Sequence, residues 1–247
     1  QELGAWNDLT LTLGNFTLTS AKGQLNKNEI IGILGENGIG KSSFVKALAG
    51  VLELPKGTLS RKLNVSYKPQ YLDSDSDLLV IEYLQEALTH YKEQLIKPLD
   101  LEKLFTKKLN QLSGGELQRV KIAHCLSKQA ELFLLDEPSA YLDVEQRVIV
   151  SKVIKRVTEE REVTILVVDH DLMFLDYLAD RLMVFSGVPA KQGIVKGPFS
   201  KVAGMNMFLQ ELGITLRRDM NSRRPRINKP ESVKDREQRS ANTWYYV

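Results

Sequence analysis

Gly35-Glu-Asn-Gly38-Ile-Gly40-Lys41-Ser42 is the stretch that decides how this 247-residue chain folds. It matches the pattern G-x-x-x-x-G-K-[ST], in which glycines let backbone N–H groups turn inward around a phosphate. Lys41 is then placed to reach the outer phosphates, and the Ser42 hydroxyl to ligate Mg²⁺. A short apolar run precedes the motif and a helical pattern follows it, so the anion lies at a helix N-terminus. The stretch predicts a phosphate-binding loop between a buried strand and a helix.

Two carboxylates end a second apolar run, Leu132-Phe-Leu-Leu-Asp136-Glu137. In proteins with such a phosphate loop, an acid at the C-terminal end of a strand holds the Mg²⁺ shell, and Asp136 has that position. Glu137 is then placed to polarise an attacking water. Alone, this pair would indicate a solvated loop. Together with the phosphate loop, it indicates a site that hydrolyses a nucleotide.

A third motif, Leu112-Ser-Gly-Gly-Glu116, precedes a predicted helix. Ser113 can cap this helix while Glu116 closes a capping box. The same helix start can also bind an anion through Ser113 and the amides of Gly114 and Gly115. The chain already has its own phosphate loop, so a second phosphate contact implies a second nucleotide-binding module.

Single residues at characteristic places complete the set of candidates. Gln70 and His170 each follow a predicted strand. Phe16 precedes the phosphate loop, where an aromatic ring can stack on adenine, but it is equally suited to a strand in the core. Trp6 and Leu13 are neighbouring alternatives for the stacking role.

Strands alternate with helices along most of the chain, which predicts an α/β fold with a mostly parallel sheet. An alternating pattern over 9–20 predicts an N-terminal antiparallel hairpin. The predicted strands are 29–34, 64–68, 131–135, 163–168 and 181–185. The predicted helices are 42–49, 78–91, 99–105, 116–127, 144–160 and 172–179, the fifth with Val144, Val148, Val153, Ile154 and Val157 on one apolar side. Polar surroundings of the second and third helices indicate a helical subdomain at about 71–130.

The composition, 43% apolar and 26% charged, is that of an ordinary globular protein. Apolar runs are too short to span a bilayer, and one cysteine excludes a disulfide scaffold. The chain begins with Gln1, and we expect it to be a piece of something longer.

The last part of the chain differs in charge from the rest. Residues 214–247 contain nine Lys and Arg against four Asp and Glu, while residues 1–213 are slightly acidic. A solvated, partly disordered end and a surface for an acidic partner both fit this charge. Ile214, Leu216, Ile227 and the run 244–247 are apolar anchors, so we expect the tail to be ordered and packed on the body. The domain boundary is predicted after Gly213.

Taken in order, these motifs resemble those of the ATP-binding-cassette ATPases over residues 1–213. The resemblance implies ATP and Mg²⁺ as ligands, with Gln70 as a sensor of γ-phosphate and Mg²⁺ and His170 as the switch residue at the γ-phosphate. It makes Leu112–Glu116 the signature motif and 139–143, ending in Asp143, the D-loop. The implied nucleotide-binding residues are Phe16, Asn37, Gly38, Gly40, Lys41, Ser42 and Ser43. The implied magnesium ligands are Ser42, Gln70 and Asp136, with Glu137 as the catalytic base.

The exact residues within and around these motifs are similar to those of the RNase L inhibitor proteins, or ABC subfamily E. This resemblance rests on three stretches, Tyr67-Lys-Pro-Gln-Tyr71, Leu112-Ser-Gly-Gly-Glu-Leu-Gln-Arg-Val120 and Asp136-Glu-Pro-Ser-Ala-Tyr-Leu-Asp-Val-Glu-Gln-Arg147. It implies the C-terminal one of two nucleotide-binding domains in a cytoplasmic ATPase that splits ribosomes into subunits, with 214–247 as a hinge. Two small departures are Ser43, where threonine is common, and Asp169, where glutamate is frequent.

The resemblance also implies partners. These are the first nucleotide-binding domain of the same parent protein and the small ribosomal subunit, or the ribosome with a release factor, and no membrane. The isolated domain can form an ATP-dependent homodimer. Two other classes stay open: the ATPase subunit of a membrane transporter, and a regulatory module that binds ATP without hydrolysing it.

Overall fold

An eight-stranded sheet forms the centre of the computed structural model, which describes residues 1–71 and 73–245. Its spatial order is β2-β3-β10-β9-β5-β8-β7-β6. The strands are β1 Glu2–Trp6, β2 Leu9–Leu13, β3 Phe16–Ser20, β4 Gly23–Asn26, β5 Ile30–Leu34, β6 Val65–Lys68, β7 Leu132–Asp136, β8 Thr164–Val168, β9 Arg181–Val188, β10 Gln192–Ser200, β11 Leu216–Arg218 and β12 Pro225–Ile227.

Five neighbouring strands, β9, β5, β8, β7 and β6, run parallel. Every residue of β5, β7 and β8 is buried. Strands covered on both faces are continuous apolar runs, which is why these three were recognisable in the sequence. Their parallel pairing brings their C-terminal ends to one edge of the sheet, and the mostly parallel α/β fold is confirmed.

The N-terminal part is antiparallel, as expected. Strands β2 and β3 form the hairpin, with Leu11 opposite Leu18. Strand β10 then joins β3 in parallel and β9 in antiparallel pairing, while β1 and β4 form a separate two-stranded sheet. The hairpin over 9–20 is therefore confirmed, and it is linked to the parallel strands through β10, which was not predicted.

Helices cover both faces of the sheet. On one face, α1 packs Phe44 and Leu48 against Ile31 and Leu134. On the other face, α4 to α7 pack against side chains such as Leu135. The helices are α1 Lys41–Leu48, α2 Val80–Tyr83, α3 Gln85–His90, α4 Gly114–Leu126, α5 Val144–Arg161, α6 Leu172–Leu178, α7 Lys201–Leu212 and α8 Val233–Ser240.

The subdomain before α4 is less regular than the predicted helices 78–91 and 99–105. The first helix breaks at Leu84, and a π-helical segment Lys92–Ile96 follows it. Only one short 3₁₀ turn, Glu102–Leu104, forms within the second. Leu84 is fully buried in the same core cluster as residues of α4, so packing rather than helix propensity sets the local backbone.

One predicted helix face is partly wrong. In α5 the residues Val153, Ile154 and Val157 are buried, as expected. Val144 and Val148, which the pattern assigned to the same side, are 76% and 47% exposed. Val144 and Val148 instead line a surface groove together with Met173 and Tyr177 of α6, so this part of the helix face does not reach the core.

The expectation of an ordered tail is confirmed for residues 214–245. Strands β11 and β12 pair, α8 follows, and Leu216 and Tyr245 are both buried. Residues 246 and 247 of the apolar run lie outside the described part of the chain. The backbone N–H of Tyr245 donates to Asn206 Oδ1 at 2.8 Å, which ties the tail to α7.

A buried polar cluster also fixes the tail to α6. Arg218 Nη2 donates to Asp176 Oδ2 at 2.9 Å, and the Tyr245 hydroxyl donates to the same carboxylate. The Asp176 side chain is 6% exposed and that of Arg218 is 23% exposed. Because little water reaches this pair, each ionised side chain is stabilised mainly by the other.

We predict that Asp176→Asn lowers the free energy of unfolding by about 1–3 kcal/mol, because it removes a hydrogen-bonded charge partner from a largely buried guanidinium. Urea unfolding of the chain measures this change. The matched control is Asp100→Asn, since Asp100 pairs with Lys103 but its side chain is 66% exposed. Surface pairs contribute about 0–1 kcal/mol, so equal losses in the two variants would contradict the prediction.

Candidate nucleotide site

The phosphate loop connects β5 to α1 directly. Gly38 and Gly40 have φ angles of 79° and 93°, a region that side chains with a Cβ rarely adopt. A Cβ at Gly40 would also lie 2.9 Å from Leu18 Cδ1 and 3.0 Å from Phe16 Cε1. Among the residues that the structure describes, no side chain caps the start of α1 and no acid lies in its first turn. Its N–H groups are therefore free to receive an anion.

Lys41 opens α1 and is buried. Its Nζ donates to the carbonyl oxygen of Gly35 at 2.5 Å, so the ammonium group lies folded over its own loop. Burial lowers the pKa of Lys41, and the nearby carboxylates Glu137, Asp136 and Asp169 oppose this change. The loop thus holds a cation where the outer phosphates of a nucleotide would lie.

Ser42, in the helix after β5, meets Asp136 at the end of β7, although β8 lies between these two strands. Ser42 Oγ donates to Asp136 Oδ2 at 2.7 Å, and the hydroxyl of Tyr67 lies 3.5 Å from the same atom. Burial raises the pKa of the Asp136 carboxyl, while the bond from Ser42 opposes that rise. A hydroxyl and a carboxylate side by side are oxygen donors that suit Mg²⁺.

In the part of the chain that the structure describes, no group of three or more His, Cys, Asp or Glu could hold a metal alone. Mg²⁺ is usually bound through one or two carboxylates together with phosphate oxygens, and it keeps several waters. Gln70, the third predicted ligand, is exposed just beyond β6. It lies at the same sheet edge, but no hydrogen bond among the described residues joins it to Ser42 or Asp136.

Glu137 and His170 are brought together by the parallel pairing of β7 and β8. His170 Nδ1 lies 3.6 Å from Glu137 Oε1. The Glu137 side chain is 13% exposed and that of His170 is 65% exposed. A mostly buried carboxylate beside an exposed imidazole can accept a proton from a water molecule.

Asp169 links the segment after Glu137 to the switch segment. Its carboxylate accepts from the Ser139 hydroxyl at 2.7 Å, from the Ser139 N–H at 3.0 Å and from the Asp171 N–H at 2.9 Å. Burial raises the pKa of Asp169, and these three donors oppose the rise. Asp169 stands where glutamate is frequent in the family, and its shorter side chain still accepts three hydrogen bonds.

Sequence reasoning missed two buried polar residues near the acids. Lys68 Nζ donates to the backbone oxygen of Asp136 at 3.0 Å, and burial lowers its pKa to about 8. Gln118 Nε2 donates to the backbone oxygen of Glu137 at 2.8 Å. A lysine ending a short strand and a glutamine within a buried helix face were the only signals for them.

Phe16 lies beside the phosphate loop. It lines a cleft of about 380 Å³ together with Leu13, Gly38, Gly40 and Ser43. Trp6, by contrast, packs edge-on against Phe44 in the core and donates its ring N–H to Ser20. Trp6 is therefore committed to the core, while Phe16 and Leu13 both remain next to the loop.

The signature motif forms the predicted capping box. Ser113 Oγ accepts from the N–H of Glu116 at 3.2 Å, and Glu116 Oε1 accepts from the N–H of Ser113 at 3.0 Å. Ser113 and Gly114 are exposed at the start of α4. In the residues described, no hydrogen bond joins this motif to the phosphate loop. The Ser113 hydroxyl still has its proton to donate, so capping and anion binding are compatible.

The D-loop lies against the same helix start. A Cβ at Gly115 would lie 3.0 Å from the backbone oxygen of Tyr141, so glycine allows the close approach. Asp143 ends this loop and caps α5 by accepting from the N–H of Gln146 at 2.8 Å. Asp143 is exposed on the same side as the signature motif.

Known ATP-binding-cassette proteins are similar to this chain over most of its length. The ABC transporter family profile matches residues 18–140. ABC transporter E family member 1 of Arabidopsis thaliana is 45% identical over 97% of this chain and 41% of its own length. ABC transporter E family member 3 of that plant is 40% identical over 60% of this chain and 88% of its own length. Translation initiation factor RLI1 of Saccharomyces cerevisiae is 40% identical over 98% of this chain and 41% of its own length.

Solved structures of longer proteins match the whole chain. The archaeal ribosome recycling factor aABCE1, in complex with the ribosomal stalk protein aP1, has a TM-score of 0.95 at 48% identity, and the match spans 49% of that chain. ABCE1 in a model of ribosome-bound archaeal Pelota and ABCE1 has a TM-score of 0.95 at 47% identity, over 43% of its chain. The chain thus spans less than half of these longer proteins.

The fold, the phosphate loop and the paired acids define an ATP-binding-cassette ATPase domain, a class that binds ATP with Mg²⁺. The chain belongs to the E family of these ATPases, the family of the RNase L inhibitor proteins. No helix of residues 1–71 and 73–245 combines the length and apolar character needed to cross a bilayer.

We predict that Glu137→Gln slows ATP hydrolysis by about 10²–10⁴-fold, the usual effect of removing a positioned general base. ATP affinity should stay within about twofold, because the phosphate loop is unchanged. Phosphate release and equilibrium nucleotide binding measure the two effects. The matched control is Glu145→Gln, an exposed acid near the start of α5. Normal turnover in the Glu137 variant would remove its assignment as the base.

Proposed function

We propose that this chain is the C-terminal cassette of a twin-cassette ATPase that splits ribosomes into subunits. The observation that carries this proposal is a similarity that extends over the whole chain, tail included, to a protein described as a ribosome recycling factor. That protein is about twice as long as the match, which leaves room for a further cassette. The transporter alternative has less support, since the relatives that match nearly the whole chain include a translation factor.

The signature motif supports a composite site. Its exposed helix start has no hydrogen bond to the phosphate loop of its own chain within the described residues, and its Ser113 hydroxyl can donate to a phosphate. In our proposal, ATP binds between the phosphate loop of one cassette and the signature motif of the other. Closure of the pair then completes each site.

The chemistry follows from the positions of the acids and cations. Glu137 takes a proton from water, whose oxygen attacks the γ-phosphorus while the bond to the β–γ bridging oxygen breaks. Lys41 and His170 stabilise the charge that develops on the phosphate oxygens. Ser42 and Asp136 would hold Mg²⁺, with Gln70 joining them when the site closes. The ion neutralises phosphate charge when bound.

The partners in this proposal are the first cassette of the same parent protein and the ribosome, the small subunit together with a release factor, in the cytoplasm. The tail offers a surface for ribosomal RNA. Arg223 and Arg224 are exposed in the segment that connects β11 and β12, and Arg226 is exposed on β12. Among the described residues, Arg226 alone of the three has an acidic neighbour, Asp219 Oδ2 at 3.3 Å from its Nε. Residues 214–247 would act as a hinge between the two cassettes.

We predict that reversing Arg223, Arg224 and Arg226 to Glu weakens ribosomal subunit binding by the parent protein. The log–log slope of binding against salt should shrink by roughly 0.7–0.9 for each phosphate group that the variant no longer neutralises. ATP affinity should barely change, because none of these residues belongs to a nucleotide-binding motif.

Reversal of Lys22, Lys27 and Lys56, three exposed lysines outside the tail, is the matched control. Subunit binding and its salt dependence are measured by sedimentation. Loss of ATP affinity with intact ribosome binding in the arginine variant would contradict the hinge assignment.

We also predict that the isolated chain is mainly a monomer and a weak ATPase, because its phosphate loop lacks a signature motif from a partner. The Glu137→Gln variant should form homodimers with ATP, since hydrolysis no longer reopens the pair. Analytical ultracentrifugation with and without ATP measures this change. A tight dimer without nucleotide would contradict the prediction.

A further inference from the structure

Glu137 has a backbone conformation that needs support. Its φ is 51°, in the left-handed region where a residue with a Cβ is disfavoured. Such conformations persist only where surrounding contacts hold them, and they concentrate at functional sites. The direction of the Glu137 side chain therefore depends on whatever fixes the peptide groups on its two sides.

Four hydrogen bonds fix these peptide groups. The N–H of Glu137 donates to the oxygen of Val168 at 2.6 Å. The Asp136 oxygen accepts from Lys68. The Glu137 oxygen accepts from the Ala140 N–H at 3.2 Å and from Gln118 Nε2 at 2.8 Å. Of these donors and acceptors, only Gln118 belongs to the helix that begins with the signature motif.

The Gln118 side chain is fully buried, and the bond to Glu137 is its one hydrogen bond within the described residues. A carbonyl oxygen only accepts, so the amide nitrogen must face Glu137. The amide oxygen, Oε1, has no partner among the described residues. An apolar side chain of equal volume at this position would not bury an unpaired oxygen. The contribution of the amide at position 118 is therefore its hydrogen bond to the backbone oxygen of Glu137.

Gln118 connects two parts of the catalytic cycle. It lies five residues after Ser113, about 7.5 Å along the axis of α4. The exposed end of this helix is where the second nucleotide would bind, and the buried amide holds the oxygen of Glu137. Tyr141, four residues after Glu137, places its ring against Gly114 and its backbone oxygen near Gly115 of the same helix start. A movement of α4 would therefore act at two points on the segment that begins with Glu137, at the backbone oxygen of Glu137 and at Tyr141.

We propose that Gln118 is a positioning residue through which the signature helix sets the direction of the Glu137 carboxylate in its own chain. Contact of the helix start with the partner's nucleotide would thus align the base for hydrolysis of this chain's ATP. The proposal rests on the proposed function, in which Glu137 is the base.

The test uses Gln118→Met and Gln118→Leu, two apolar replacements that cannot donate a hydrogen bond. Both should lower kcat by about 10- to 10²-fold, because a small misplacement of a catalytic group has effects of this size. ATP affinity and the melting temperature should stay close to wild type. Gln85→Met, an exposed glutamine on α3, is the matched control and should change neither quantity. Single-turnover hydrolysis, nucleotide binding and thermal unfolding measure these effects.

A second measurement separates positioning from a structural defect. In the Glu137→Gln background, Gln118→Met should cause no further loss of the residual rate, because there is no base left to position. A further loss of similar size in that background would overturn the proposal, as would wild-type kcat in the single variants. Normal turnover of Glu137→Gln alone would instead refute the proposed function, in which Glu137 is the base. The proposal for Gln118 would then fail as well, because Gln118 would have no base to position.

Discussion

The parallel alignment of β5, β8 and β7 is the constraint on which the rest of this structure depends. Each of these buried strands ends at the same edge of the sheet, and each is followed by residues that our proposal assigns to the nucleotide site. The phosphate loop follows β5, Asp136 ends β7 with Glu137 directly after it, and His170 follows β8. A one-residue change of register would separate the Ser42 hydroxyl from Asp136, whose 2.7 Å bond joins the phosphate loop to the end of β7, on the far side of β8 from β5.

Charged side chains are buried at this edge of the sheet, although burial disfavours their ionised forms. Asp136 and Asp169 are almost fully buried, as are Lys41 and Lys68. Burial raises the pKa of both acids and lowers the pKa of both lysines, so each ionised group depends on neighbours of opposite charge and on hydrogen bonds. The cost of burying these charges is offset by a site already organised for a polyanion with its cation.

The tail is connected through α6 to the segment that carries His170. Helix α6 begins directly after the switch loop, with Asp171 as its N-cap, and Asp176 on that helix pairs with Arg218 and Tyr245 of the tail. Arg147 of α5 also reaches Asp171, at 2.7 Å. The segment that carries His170 is thus held between the D-loop helix and the tail, which gives a hinge a physical route to the nucleotide site.

The sequence by itself determined the fold class, the strand ends and most candidate residues, because each depends on local chemistry. An apolar run followed by glycines, or by two acids, identifies a buried strand and its functional end. The tertiary structure alone decided the exposure of Val144 and the break at Leu84, since both depend on where the core ends. It also decided that Lys68 and Gln118 hold the backbone of Asp136 and Glu137. Those contacts join residues 19 and 68 positions apart, and no local pattern encodes such a pairing.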